Sequence, residues 1–441
     1  MTDLWGAQAT APLVRGGRRL AIPTVALFTL GCKVNQAETE DLAVAFARAG
    51  CRRVDFPAPA DIYVLNTCTV THVADRKSRA LLRQARRLSP EALVVATGCY
   101  AQVAPEAVAA LGVDLVVGNT DKHRLVELTL AGRSFACGES LLVERPRTRA
   151  FLKVQDGCDN HCTYCIVPRA RGAQRSEPLA SVLTRARQHE AEGCRELVLT
   201  GVHVGAYGRD CPAVGQERPD LALLLRHLLD ETGLERIRLS SIEPEDLTDD
   251  LLALWPRSGG RLCRHFHLPL QSGSDAVLRR MGRRYRAADF ASRVSSVRAA
   301  APGAAITGDV MAGFPGETAD QHEESLAFIQ AIGFAGLHVF KYSPRPGTPA
   351  ARYPGQVAPS LAKRRSEDLQ AAGAESAARF QGALAGESLP VLFEESSGGY
   401  WTGLTDNYVR VYLPSREDLH NRLLVVRLVA PYGEGLLASP A

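Results

Sequence analysis

Eight residues, Cys158-Asp159-Asn160-His161-Cys162-Thr163-Tyr164-Cys165, hold three cysteines in the spacing CxxxCxxC. Three thiolates on so short a loop can converge on one soft-metal centre. On a four-iron cube, three ligands leave one iron without a protein ligand. A protein that only transfers electrons closes its cluster with a fourth cysteine. None follows here: Cys165 runs into Ile166-Val167-Pro168, and the next cysteine is Cys194. An open iron is what a substrate or cofactor needs if it is to bind there. One competing reading is a zinc knuckle on Cys158, His161, Cys162 and Cys165, although adjacent His161 and Cys162 would strain a tetrahedron and no paired CxxC rhythm is present. The other is a set of incidental core cysteines.

A second set is visible once the elements around it are read. Short β-branched runs at 25–30, 62–66 and 92–96, with a weaker one at 115–117, predict buried parallel strands. Amphipathic helices fit near 37–49, 72–88 and 104–111, so residues 24–145 are expected to form a doubly wound α/β domain. Cys32, Cys68 and Cys99 each follow one of the first three strands. In a parallel sheet all three fall at the carboxyl edge, where such folds bind ligands. The plainer alternative is that Gly31-Cys32 and Gly98-Cys99 are small residues in tight turns.

Residues 146–375 repeat strand then helix six times. Strands are predicted at 151–155, 196–200, 236–240, 265–270, 305–310 and 337–342, and helices near 178–192, 220–231, 246–255, 275–281, 287–300 and 318–332. That pattern implies a (β/α)6 partial barrel with its chemistry at the strand carboxyl ends. Thr200-Gly201, Ser240-Ser241-Ile242-Glu243, Gln271-Ser-Gly-Ser274 and Tyr342-Ser-Pro-Arg345 stand at those ends, each as able to form a turn or cap as to bind a ligand. Residues 384–441 change to short strands at 389–393, 400–404, 408–413 and 423–429, a small antiparallel β-barrel of the OB-like kind.

The chain has 441 residues, enough for two or three domains. Its net charge of +4 does not by itself indicate nucleic acid. Local clusters do: the helix from His72 carries Arg76, Lys77, Arg79, Arg83, Arg86 and Arg87 against a single acid, Asp75. Arg279-Arg280-Met281-Gly282-Arg283-Arg284-Tyr285-Arg286 combines cations with an aromatic ring. Solvated helix faces are the alternative for both. No apolar run of about 18 residues predicts a membrane span, and residues 1–19 read as a ragged tail, not a signal peptide. Eleven cysteines without an export signal argue for reduced thiols and metal ligands in a cytoplasmic protein. Cys51, Cys137, Cys194, Cys211 and Cys263 are expected to be ordinary small apolar residues.

The CxxxCxxC loop, with Tyr164 before its last cysteine, resembles that of the radical S-adenosylmethionine (SAM) enzymes. Gly31-Cys32-Lys33-Val34-Asn35-Gln36, Asn66-Thr67-Cys68-Thr69-Val70-Thr71 and Thr97-Gly98-Cys99-Tyr100 are similar to the amino-terminal motifs of the methylthiotransferase branch. The polar strand ends of the barrel look like that branch's motifs, in its order. The resemblance implies two 4Fe-4S clusters, one on Cys158, Cys162 and Cys165 that binds SAM, and a second on Cys32, Cys68 and Cys99 that handles the inserted sulfur. SAM would serve as methyl donor and as radical source, with Thr200, Gly201, Glu243 and Gln271 as its candidate contacts. No side chain is expected to act as a catalytic acid or base. A sulfur source and a flavodoxin- or ferredoxin-like electron donor are implied partners. The carboxyl-terminal barrel resembles the TRAM module that binds RNA, yet from Glu387 it carries seven acids, four arginines and no lysine. Its RNA contact is therefore expected at a local face such as Trp401, Tyr408 and Arg410.

The implied activity is methylthiolation of an adenosine beside the tRNA anticodon. Cys32-Lys33-Val34-Asn35-Gln36-Ala37-Glu38, Arg238-Leu-Ser-Ser-Ile-Glu-Pro244 and Gln271-Ser-Gly-Ser-Asp275 look most like the threonylcarbamoyladenosine branch. Arg83, Arg86, Arg87, Arg283, Arg284 and Arg345 are the candidate RNA contacts, the last three being cations for the threonylcarbamoyl carboxylate. Two sister activities remain as alternatives, on isopentenyladenosine in tRNA or on an aspartate of a ribosomal protein. A non-catalytic RNA-binding iron–sulfur protein is a third.

Overall fold

A computed structural model describes residues 22–131, 148–212 and 218–441; the expectations for residues 1–19 and for Cys137 lie outside them. The chain divides into two compact units, 1–144 and 145–441.

The first unit is a five-stranded parallel sheet. Across the sheet the order is Arg52–Val54, Thr24–Thr29, Ile62–Thr67, Leu93–Gly98, Leu115–Val117. That order reverses beside the first strand, so a switch point lies between Thr24–Thr29 and Ile62–Thr67, the place where open α/β sheets bind ligands. Both sheet faces are covered, one core built on Tyr63, Leu65 and Leu82, the other on Phe46, Ile62 and Val64. The strand Arg52–Val54 was not expected, because its sequence RRV has no apolar alternation. Helix Lys33–Arg48 begins four residues earlier than its apolar period, directly after Cys32. The helix expected over 104–111 is two short ones, Cys99–Val103 and Pro105–Ala109. Pro105 lacks an N–H and so opens a new helix instead of continuing the first.

The second unit begins with the six expected parallel strands: Arg149–Lys153, Glu196–Thr200, Arg236–Leu239, His265–His267, Ala305–Ala312 and Gly336–Lys341. They form two three-stranded sheets, joined through the parallel bridges Ile237–Leu262 and Ser241–His267. The fourth strand stops at His267, short of the expected 265–270, where Pro269 cannot extend the ladder. Strand alternation sends Leu197, Leu199, Ile237 and Phe266 outward into one continuous core with the helices. The same alternation leaves Glu196, Thr200, Arg238, His265 and Thr307 on the inner face.

The chain ends in a closed five-stranded barrel. Its last strand, Gly435–Pro440, pairs parallel with Arg410–Pro414, whereas the other pairs are antiparallel. Only four strands were expected. The strand predicted at 408–413 starts at Arg410, because Tyr408 adopts φ +67° in a turn.

That turn docks the barrel on the amino-terminal ends of the six strands, away from the cysteine loop. Arg238, fully buried, donates to Glu196 through Nε (2.7 Å) and to the Asp406 carbonyl through Nη1 (2.8 Å). Arg264 grips the Asp406 carboxylate at 2.6 Å, and Arg236 donates to the carbonyls of Leu404 and Pro390. Tyr408 stacks on His265, ring centroids 4.5 Å apart and 15° from parallel, with the Arg238 guanidinium 4.8 Å from its ring. Tyr408, expected on an RNA face, is thus a docking residue that stays 37% exposed. Trp401, expected on the same face, is half-buried and packs one side against the barrel's own core.

Candidate functional site

The CxxxCxxC loop leaves the first strand of the partial barrel and is pinned from two sides. Thr163 donates its N–H to Met281 O (2.9 Å) and its hydroxyl to Arg280 O (2.9 Å), while its own carbonyl accepts from Ala350 N (2.9 Å). The helix Asp275–Met281 and the segment after the sixth strand therefore set the loop's position.

Arg283 reaches Cys162 Sγ at 3.4 Å through Nη1. Its other face forms an ion pair with Glu243, and its guanidinium lies 4.9 Å from the Tyr285 ring. The side chain is only 5% exposed. Arg283 was expected to contact RNA; its side chain is instead buried against the cysteine loop, setting a positive charge and a donor beside the Cys162 sulfur. Glu243, expected beside SAM, is correspondingly engaged by Arg283. His203, at the second strand's end, was not among the residues expected at the site. Its Nδ1 lies 4.0 Å from Cys158 Sγ, and its Nε2 lies 2.6 Å from Asp246, which also pairs with Arg209. No sequence signal marks these links, because the partners are more than 35 residues apart.

Burial pushes the Cys165 thiol up to about 12, opposed by the Val167 N–H. Burial also raises Cys162, with Arg283 pulling it back. The Cys162 and Cys165 thiols thus keep their protons at neutral pH, and a metal centre must displace them.

A cleft of about 240 Å³ opens beside the loop, lined by Asp159, Asn160, Gln174, His203, Arg209 and Arg284 among others. Exposed Arg284 lines this cleft. Among the described residues, the buried hydroxyls of Thr200 and Ser240, at adjacent strand ends, have no hydrogen-bond partner. Orphan polar atoms at the carboxyl edge suit a polar cofactor. A Cβ at Gly201 would lie 2.9 Å from Gln155 Oε1, so the backbone there passes close to its neighbours. Gln271 holds φ +64°, its amide donating to Asp309 O and its carbonyl accepting from Met311 N. Its position is fixed by backbone pairing at some conformational cost. Arg345 is buried just past the sixth strand.

In the first unit the structure gathers Cys32, Cys68 and Cys99 at the carboxyl edge of the sheet. Gly31 and Gly98 have φ +99° and +92°. A Cβ at Gly31 would come 2.9 Å from Cys68 Sγ, and one at Gly98 would collide with the Thr67 carbonyl. The tight-turn reading is therefore correct for the glycines, and the turns are what present the thiols. Burial lifts Cys68 to about 11, and the neighbouring Cys99 and Cys32 raise it further against the Val70 N–H. Asn35 donates to Leu30 O (2.7 Å) and Thr67 O (3.1 Å), tying the first two loops together. Lys122, which the sequence did not single out, reaches Glu38 at 2.6 Å beneath them.

Cys51, Cys194 and Cys263 are buried as expected, and Cys211 is half-buried. Among the described residues no group of His, Cys, Asp or Glu side chains is arranged to hold a single metal ion, so the zinc reading gains no support. No helix among them is long and apolar enough to cross a membrane.

Comparisons with known proteins identify the family. A family model described as the radical SAM superfamily matches residues 152–329. Another, described as uncharacterized protein family UPF0004, matches residues 24–118. The threonylcarbamoyladenosine tRNA methylthiotransferase MtaB of Bacillus subtilis (strain 168) is 40% identical over 437 residues, 93% of this chain and 96% of that protein. The chain belongs to the radical SAM methylthiotransferase family. The tRNA-2-methylthio-N(6)-dimethylallyladenosine synthase of Jannaschia sp. (strain CCS1) is 34% identical, over 91% of this chain and 90% of that protein. The radical SAM methyltransferase TsrM from Kitasatospora setae, solved with cobalamin and a 4Fe-4S cluster, aligns with a TM-score of 0.53 at 17% identity, over 75% of this chain and 74% of that one. That likeness supports the fold. As a member of the methylthiotransferase family the chain is a SAM-dependent enzyme of two 4Fe-4S clusters. The donor set fits them: one thiol triplet per unit, with Arg283 donating to one sulfur and Asn119 Nδ2 lying 3.8 Å from Cys99 Sγ.

The basic helix His72–Leu88 divides its arginines. Arg83 and Arg87 are exposed. Arg86 is placed differently from the expectation: it donates to the carbonyls of Pro90, Ala92 and Gly112, each at 2.9 Å, and pairs with Asp114. Its donors are already committed to the protein, so Arg86 is a brace. We expect Arg83→Ala/Arg87→Ala to weaken tRNA binding and flatten its dependence on salt, since fewer counterions are released. Arg86→Ala should instead lower stability by about 1–3 kcal/mol and leave the salt slope alone. Anisotropy titrations across salt, beside thermal melts, check both; an unchanged slope in the double variant would place that helix away from the RNA.

Proposed function

We propose that this enzyme replaces the C2 hydrogen of N6-threonylcarbamoyladenosine, next to the anticodon of tRNA, with a methylthio group. The observation that carries the reading is the 40% identity, over nearly both whole lengths, to the Bacillus subtilis threonylcarbamoyladenosine enzyme. The dimethylallyladenosine synthase at 34% keeps isopentenyladenosine as the second reading. When bound, the clusters and SAM supply the one-electron, methyl and sulfur chemistry that protein side chains lack.

The residues divide that work. Cys158, Cys162 and Cys165 would hold the cluster that binds SAM, and Cys32, Cys68 and Cys99 the second. The Thr200 and Ser240 hydroxyls and the Gly201 backbone would receive SAM. Arg283, anchored by Glu243, would stay at the Cys162 sulfur. Arg345 and Arg284 are the cations proposed for the threonylcarbamoyl carboxylate. The functional modules are residues 24–145, 146–375 and 384–441. A flavodoxin- or ferredoxin-like electron donor and a separate sulfur source complete the system.

Purified enzyme offered both prepared tRNAs should methylthiolate the threonylcarbamoyl form at least tenfold faster, read by mass spectrometry of the nucleosides. Reaction of the isopentenyl form alone would assign the chain to the sister branch.

A further inference from the structure

We propose that Tyr400, Tyr412 and Tyr432 form a stacking platform by which the carboxyl-terminal barrel takes an unpaired base of the tRNA. The inference rests on the tRNA-modifying reading and adds the surface that meets the substrate. The three rings come from three strands and meet on the barrel's outside. Tyr432 lies 5.2 Å from Tyr400 and 5.1 Å from Tyr412, centroid to centroid, and is 41% exposed.

The cluster is built into the backbone. The hairpin turn after Tyr432 contains Gly433 at φ +56°, where a Cβ would lie 3.2 Å from Tyr412 Oη. A Cβ at Gly435 would collide with the Arg410 carbonyl. Only glycines let this turn settle on the strand Arg410–Pro414 and bring Tyr432 against Tyr412. Strand alternation puts exposed Arg410 on the same face as Tyr412, two residues away, as a cation for the phosphate beside a stacked base.

Charge favours stacking over backbone capture as the mode of contact. The module has seven acids against four arginines from Glu387 onward, so capture of the RNA backbone by charge is weak there. Base stacking on aromatic rings requires no net charge and tolerates any base. Docking to the partial barrel is made by other residues, Asp406, Asn407, Tyr408, Glu394 and Asn421.

The test uses the full-length reconstituted enzyme and tRNA, measured by anisotropy over a range of salt. Tyr432→Ala, and the triple alanine variant of Tyr400, Tyr412 and Tyr432, should raise the tRNA Kd about tenfold or more. The slope of log Kd against log salt should stay as in the wild type, because no phosphate contact is lost. The triple phenylalanine variant keeps the rings and should bind normally, which separates stacking from a folding defect. Unchanged affinity for Tyr432→Ala and the triple alanine variant, beside normal wild-type binding, overturns the platform alone. A flattened slope also overturns it, in favour of a charge contact. Loss of a dimer on gel filtration without loss of tRNA affinity would assign the face to a second copy of the chain. If the wild type bound no tRNA, the tRNA reading would fall and the platform with it.

Discussion

Anaerobically reconstituted protein is expected to carry about eight irons per chain, two cubes of four. Replacing Cys158, Cys162 and Cys165 together with alanine should leave about four and abolish reductive cleavage of SAM. Replacing Cys32, Cys68 and Cys99 should also leave about four, yet spare SAM cleavage while stopping sulfur insertion. The prediction follows from two thiol triplets lying in separate compact units, each with its own core and its own supporting network. Asn35 and Lys122 brace one, and the helix Asp275–Met281 braces the other. Iron assay and Mössbauer spectra read the outcome independently of turnover. Full iron in either triple variant would end the two-cluster model.

The second large effect concerns the docking of the carboxyl-terminal barrel. Glu196 is fully buried and faces three guanidiniums: Arg238 at 2.7 Å, Arg149 at 3.1 Å and Arg236 at 3.6 Å. Burial alone would raise its carboxyl. Arg238, then Arg149 and Arg236, override that and hold it at about 2, against an ordinary 4.5. Replacing the charge leaves buried cations without their anion, so Glu196→Gln should cost about 3–5 kcal/mol. The part of the molecule that loosens should be the docked barrel, seen as protease cleavage near residues 383–388.

The same pair of values sets a pH dependence. A carboxyl whose folded value lies below its unfolded one stabilises the fold fully above the unfolded value. That contribution disappears as pH falls from about 4.5 toward about 2. Wild-type melting temperature should therefore drop more steeply than that of Glu196→Gln across this window. Parallel curves for the two proteins would show that Glu196 is not the anchoring charge.

Local spacing carried much of this protein in its sequence. CxxxCxxC places three thiols on one loop whatever the surroundings. A strand followed by a cysteine, repeated three times and twice through a positive-φ glycine, brings Cys32, Cys68 and Cys99 to one edge because parallel strands share a direction. The six strand–helix repeats and their polar ends were legible for the same reason: alternation and helical period are properties of neighbours in the chain.

Side-chain roles were not legible where they depend on partners brought in by the fold. Arg283 read as one cation in a basic run, and only packing across 121 residues sets it against Cys162. Arg86 looked like Arg83 and Arg87, three residues before and one after, until Asp114 and three carbonyls took its donors. Tyr408 and Trp401 had the composition of an RNA face, yet one stacks on His265 where the two barrels dock and the other rests one side against a core. Three other tyrosines meet on the outside of the barrel, because the strand Gly435–Pro440 and the turn before it, missed in the sequence, bring Tyr432 against Tyr400 and Tyr412. Spacing along the chain determined which atoms could do chemistry. The tertiary structure decided which charges and rings were still free to meet a ligand, since each one buried in a protein contact is withdrawn from the solvent side.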